Sequence, residues 1–180
     1  MYLTILLSPN KGWKKLKNSP LEVKSTVLYF ILPLILITTI ITFVATKYYQ
    51  GDESLAMRNA SYFALKWFLS ILLSGWAINK LISAFKGNRE IRRTLILVAF
   101  PSSFLLLFSS IALFFPNVNH LMALGVVIGL IYFFIGVKIL VSIPKERVAG
   151  FFVTSLLLFF IITSFFEVLF AIIFELPIQI

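Results

Sequence analysis

Few residues in this chain could do chemistry, and they stand far apart. The charged side chains standing farthest from the ends of the apolar stretches are Lys66, Lys138 and Glu167. Such groups are expensive in hydrocarbon, and where they persist they form pairs, serve a relay or snorkel to the headgroups. Lys66 and Glu167 carry opposite charge at similar expected depth. They form a candidate intramembrane ion pair, with independent snorkelling as the alternative and a proton or ion relay as the functional use. Lys138, in "IYFFIGVKILVSIPKERVAGFF", lies near the end of its run. Its stem is expected to lie along lipid while the ammonium reaches the headgroups, with a structural partner such as the polar end of run two, or a substrate or ion site, as the alternatives.

Nucleophiles and ligands are scarce. The chain has no cysteine, which excludes thiol chemistry, disulfides and thiolate metal ligands. Its one histidine, His120, sits beside Asn119 with no acidic cluster near it in sequence, so a metal centre or a Ser/His arrangement lacks material. The glycines make no phosphate-cradling loop, because "FKGNRE" lacks the Walker spacing. No catalytic, cofactor-binding or metal-ligating residue is assigned, and the chain reads as a non-enzyme.

Binding chemistry is better represented. In "PNKGWKKLK", Lys11, Lys14, Lys15 and Lys17 surround Trp13 and Leu16. That is the composition of a short amphipathic interfacial helix with an aromatic anchor, serving either as a juxtamembrane segment or as a docking element for a partner. A second basic group is Arg89, Arg92 and Arg93. Lys11, Trp13, Lys14, Lys15, Lys17, Arg89, Arg92 and Arg93 are therefore the candidate residues for lipid or partner binding.

These groups need elements to hold them, and composition says which. Of 180 residues 60% are apolar and 13% charged, against roughly 25% charged in soluble domains. The charges gather in islands separated by five apolar runs, about 25–46, 62–83, 94–115, 120–143 and 148–174, each long enough to cross a hydrocarbon core of about 30 Å. None alternates with the period of two that barrel strands require. The fold class is all-α: a polytopic integral membrane protein, a bundle of five transmembrane helices over 25–180, preceded by a basic amphipathic segment over 1–24. "MYLTILL" is too short and lacks the basic leader of a cleavable signal, so it is expected to persist in the mature protein.

Local signals mark the ends. "SPLE" offers Ser19 as N-cap, Pro20 in the first turn and Glu22 at the capping-box position. "PNVNH" reads as a hairpin turn, and Pro144 separates the last two runs. Pro33 and Pro101, inside runs, predict kinks. Gly125, Gly129 and Gly136 share a narrow arc with Tyr132, a face that admits a close neighbour, either another helix of the same chain or a second copy.

Thirteen of the sixteen basic residues fall before run one or around the second and fourth loops. Lys47, Arg58 and Lys66 fall on the other side. By the positive-inside rule the N-terminus is cytoplasmic and the C-terminus outside. Anionic headgroups are the counter-charge expected for the net +9, and nucleic acid is not required.

The order "SPNKGWKKL", "YFILPLIL", "FKGNREIRRTLILVAFPSSF" and "LGVVIGLIYFFIGVKILVSIPKERVAGF" resembles a compact prokaryotic member of the Ypt-interacting-protein (Yip) family. The residues carrying the resemblance are Pro9 to Trp13, Pro33, Gly87 with Leu97-Val98-Ala99-Phe100, and Tyr132 and Gly136 leading to Pro144, Lys145, Ala149 and Gly150. The resemblance implies five spans, a cytoplasmic N-terminus and residence in a prokaryotic cytoplasmic membrane. Eukaryotic relatives are associated with Rab-type GTPases and vesicle traffic through a long N-terminal region that this sequence does not show, so GTPase binding is not carried over.

The leading expectation is a non-enzymatic membrane scaffold or organiser. Its basic cytoplasmic face would bind membrane lipids, and small-residue faces would serve partner membrane proteins or a homo-oligomer. The alternative is a small transporter or lipid translocator using the kinked spans and the Lys66/Glu167 region. A membrane enzyme ranks third.

Overall fold

The computed structural model describes residues 8–18, 23–115, 118 and 120–176. The Ser19–Glu22 capping signal, most of the "PNVNH" turn and "MYLTILL" lie outside the described residues. Every regular element among the described residues is helical. We number the helices α1 (Pro9–Lys17), α2 (Val23–Gln50), α3 (Glu53–Leu81), α4 (Ile91–Ala112), α5 (His120–Leu140) and α6 (Val148–Ile173). Helices α2 to α6 are each long and apolar enough to cross a membrane.

Several helices outrun the apolar stretches, because hydropathy trims polar turns that remain helical. The clearest is α3, which begins at Glu53 rather than near 62. Asp52 caps it, its carboxylate accepting the Ser54 and Leu55 N–H groups at 2.8 and 3.1 Å, which satisfies two of the donors a helix start leaves unpaired. Gly51 ends α2 in the left-handed conformation, φ +68°, and its N–H reaches Lys47 O at 3.0 Å.

The prolines act as their chemistry requires. Pro33 has no N–H, and the turn before it widens over Val27–Ile31, with the Leu32 N–H reaching back five residues to Val27 O. Pro101 sits inside α4. The hydroxyls nearby turn back onto their own helix: Ser102 donates to Val98 O at 2.8 Å and Ser103 to Phe100 O at 2.6 Å. These two hydroxyls thus find partners where water cannot reach, whereas those of Ser70, Ser74 and Ser155 have none among the described residues.

Helix α4 is central. From Thr94 to Phe104 every residue is buried, against helices α2, α3 and α5. Helix α6 packs mainly on α3. Its contact with α5, the helix preceding it in sequence, is the sparsest among consecutive spanning helices.

One connection is pinned by a glycine. After a tighter turn over Ile82–Phe85, Lys86 takes the left-handed conformation, φ 60°. The Gly87 N–H bonds Ile82 O and the Lys86 N–H bonds Ser83 O, a left-handed helix stop. Glycine is usual at the left-handed position, yet here it stands one residue later. A Cβ on Gly87 would lie 2.5 Å from Ile143 and 2.9 Å from Ser142 O. Close approach of the α3–α4 and α5–α6 connections therefore claims the glycine.

Candidate functional site

The sequence features converge most tightly around Phe100. Its ring meets Trp13 of α1 edge-on at 5.4 Å, Phe30 of α2 stacked at 5.8 Å, Phe104 one turn along α4 at 5.6 Å, and Tyr132 of α5 at 5.8 Å. Tyr132 also lies 4.8 Å from Phe104. Offset and edge-on aromatic pairs contribute about 0.5–1.5 kcal/mol each beyond area burial, so this hub ties four helices together.

Helix α1 is seated in the hub. Trp13 and Leu16 are buried, at 0% and 2% exposure, against the bundle rather than projecting from it. Gly136 makes room: a Cβ there would stand 2.6 Å from Leu97 Cδ1 and 3.2 Å from the indole ring. The Trp13 Nε1 has no acceptor among the described residues. Lys11, Lys14 and Lys15 are exposed on the opposite side, with Lys17 half-buried. Leu97 and Phe100 were legible only as parts of a motif, with nothing to mark them as the seat for Trp13.

The glycine face points inward. At Gly125 a Cβ would meet Phe108 at 2.8 Å and Phe104 O at 3.0 Å, and at Gly129 it would meet Pro101 O at 3.0 Å. Tyr132 joins the same α4–α5 contact. This face is filled by α4 and α1 of the same chain, so a second copy could use it only by displacing them.

Lys66 and Glu167 are brought together. Their Nζ and Oε2 atoms lie 3.1 Å apart across α3 and α6, with side-chain exposures of 12% and 30%. Lys66 also donates to the Tyr62 hydroxyl at 3.3 Å, and its ammonium lies 5.2 and 5.4 Å from the rings of Tyr62 and Trp67. A pair so enclosed is a clasp between helices. Lys138 is exposed, and its ammonium lies over the Phe134 ring at 4.1 Å, one turn back along α5. Helical side chains lean toward the N-terminus, and here the ring offers the cation a partner in that direction.

Charges differ between the two ends of the bundle. At one end Lys47 pairs with Glu53 at 3.0 Å and Arg58 with Glu175 at 3.8 Å. At the other, Lys11, Lys14, Lys15, Lys86, Arg89, Lys145 and Arg147 are exposed, and no carboxylate lies within 4.0 Å of any of them among the described residues. Arg89 donates to Ser83 Oγ. Of the candidate binding residues, Arg92 and Arg93 are half-buried and share Glu90, at 3.9 and 2.7 Å. The docked connections at Gly87 and Ile143 supply Lys86, Lys145 and Arg147 in their place. The sequence showed these three only as topological charges.

Between α4, α5 and α6 lies an apolar crevice, open to the exterior, with Pro101, Ser102, Gly129, Phe133 and Phe160 among its walls. The Ser102 hydroxyl is committed to Val98 O. Among the described residues no group of three or more His, Cys, Asp or Glu gathers as metal ligands.

A family profile described as the Yip1 domain matches residues 3–166. No curated protein and no solved structure matches the chain. With the match running from before α1 into α6 and five apolar helices of spanning length, the chain belongs to the Yip1 domain family and is a multi-pass integral membrane protein.

Proposed function

We propose that this protein is a non-enzymatic membrane organiser whose basic end is cytoplasmic and binds anionic lipid headgroups, and through them or beside them partner membrane proteins. The observation that carries this reading is the charge asymmetry. Lys11, Lys14, Lys15, Lys86, Arg89, Lys145 and Arg147, with other exposed cations at the same end, lack a carboxylate partner among the described residues, whereas Lys47, Arg58 and Lys66 each have one. Unpaired cations near an anionic leaflet each contribute about 1 kcal/mol of attraction. Residence in a prokaryotic cytoplasmic membrane, with the C-terminus outside, is part of the same proposal.

The crevice supports this reading over a transporter. Its lining is apolar except for Ser102, which is already bonded, so it offers no polar path for a solute or headgroup. The Lys66–Glu167 pair is closed on itself.

The test replaces Lys11, Lys14, Lys15, Arg89, Lys145 and Arg147 by Gln and measures enrichment of phosphatidylglycerol around the protein in mixed vesicles. Enrichment should fall, and the wild-type excess should shrink as salt shortens the Debye length below about 10 Å. Solute or lipid flux that is lost in Lys66→Gln and Glu167→Gln, with the basic-end variant still active, would replace the organiser by a transporter.

A further inference from the structure

Helix α1 has one apolar side, Trp13 and Leu16, and the bundle occupies it completely. That side is also the one an amphipathic helix inserts into a membrane interface. The two placements exclude each other. In the docked placement Lys11, Lys14 and Lys15 face away from the bundle without a carboxylate partner among the described residues. The buried Trp13 Nε1 lacks an acceptor among them as well, whereas an indole at a membrane interface places its N–H among headgroups and water.

We propose that α1 is a releasable latch, held by Trp13 in the socket of Leu97, Phe100 and Gly136 and drawn out onto the membrane surface when that surface carries anionic headgroups. The inference rests on the reading of the basic end as the lipid-binding face. A ligand shifts such an equilibrium only by binding one state better. A neutral bilayer offers the apolar side of α1 little that the socket does not. When α1 rests on an anionic surface, Lys11, Lys14 and Lys15 stand above the headgroups, within the Debye length of about 10 Å at 0.1 M, and Lys17, half-buried in the docked placement, is freed to meet them. Release uncovers Leu97, Phe100 and Gly136 at the α4–α5 contact, so lipid charge at the surface is transmitted to the centre of the bundle.

The test uses the full chain with Trp67→Phe and Trp76→Phe, leaving Trp13 as the reporter, in vesicles of phosphatidylcholine containing from none to one half phosphatidylglycerol. In pure phosphatidylcholine Trp13 should be protected from both aqueous iodide and brominated acyl chains. As phosphatidylglycerol rises, quenching by the brominated chains should rise and the emission should shift. Lys11→Gln, Lys14→Gln and Lys15→Gln together should abolish the response with Trp13 still protected. Inorganic phosphate added to phosphatidylcholine vesicles should change nothing, which separates a lipid surface from a free anion. Gly136→Leu should release Trp13 without anionic lipid; if that variant does not fold, the lysine variant decides.

A Trp13 that stays protected at every phosphatidylglycerol fraction, while the protein still enriches that lipid, overturns the latch and leaves the lipid-binding reading intact. Absence of both enrichment and response removes both. Quenching already in pure phosphatidylcholine shows the socket empty, and also overturns the latch.

Discussion

Gly129 of α5 lies against the carbonyl oxygen of Pro101 in α4, so closely that a Cβ would stand 3.0 Å from it. The obstacle is backbone, which cannot swing aside. Gly129→Ala should therefore force the helices apart and cost on the order of 1 kcal/mol, the scale of close packing between membrane helices. Gly150→Ala, where the nearest atom is the Phe85 ring at 3.4 Å, should be neutral. Thermal unfolding of both in the same detergent checks the ranking. Equal midpoints would show that the α4–α5 approach is not limited by this glycine.

The Lys66–Glu167 clasp makes a prediction with two arms. Glu167→Gln strands an ammonium in an enclosed site and should destabilise by about 3 kcal/mol, as breaking a buried pair does. Lys66→Met with Glu167→Met removes both charges and should recover most of that loss, because apolar replacement of a whole pair is often near neutral. Unfolding midpoints of single and double variants measure it. A double variant as unstable as the single one would mean that Tyr62 and Trp67, not the carboxylate, hold Lys66 in place.

Lys86 occupies a left-handed backbone conformation at φ 60°. An L-residue with a Cβ pays about 1–2 kcal/mol there and glycine does not, although glycine loses more freedom on folding. Lys86→Gly should raise the unfolding midpoint, a gain of about 1 kcal/mol after that offset. Lys86→Ala, with a Cβ but no charge, separates backbone relief from loss of the cation. Only the glycine variant should gain.

Orientation is open to direct labelling, since the chain has no native cysteine. Cysteines at Asn88 and Lys145, both exposed at the basic end, should be shielded from an impermeant thiol reagent in intact cells. A cysteine at Gln50, exposed at the opposite end, should be labelled. The reverse pattern would turn the basic face outward. Gly87 is unsuitable for this purpose because Ile143 fills the space a side chain would need.

Much of the architecture was legible because it follows from short-range rules. Five spanning helices come from apolar run lengths, and the widened turn before Pro33 comes from a missing N–H group. The capped start of α3 at Asp52 was not read, although Asp before Glu-Ser is an ordinary start signal. It was missed because a hydropathy window discards polar helix. The seating of Trp13 was illegible for a different reason. An amphipathic side looks the same whether lipid or protein covers it, and only the coincidence of Gly136 with Leu97 and Phe100 in space decides. The contact of Lys138 with Phe134 was illegible for a similar reason, because it depends on side-chain direction. The pairing of Arg92 and Arg93 with Glu90 turns on local geometry, which charge counting ignores.

The 101 residues between Lys66 and Glu167 also set a schedule. Helix α3 enters the bilayer long before α6 is made, and α5, the neighbour of α6 in sequence, gives that last helix little to hold. At about 5–20 residues per second, synthesis leaves Lys66 without its counter-charge for about 5–20 s. During that interval the nascent protein displays a lone ammonium within the membrane. Arrival of Glu167 hides it. The clasp between α3 and α6 therefore closes only after α6 has been made and has docked.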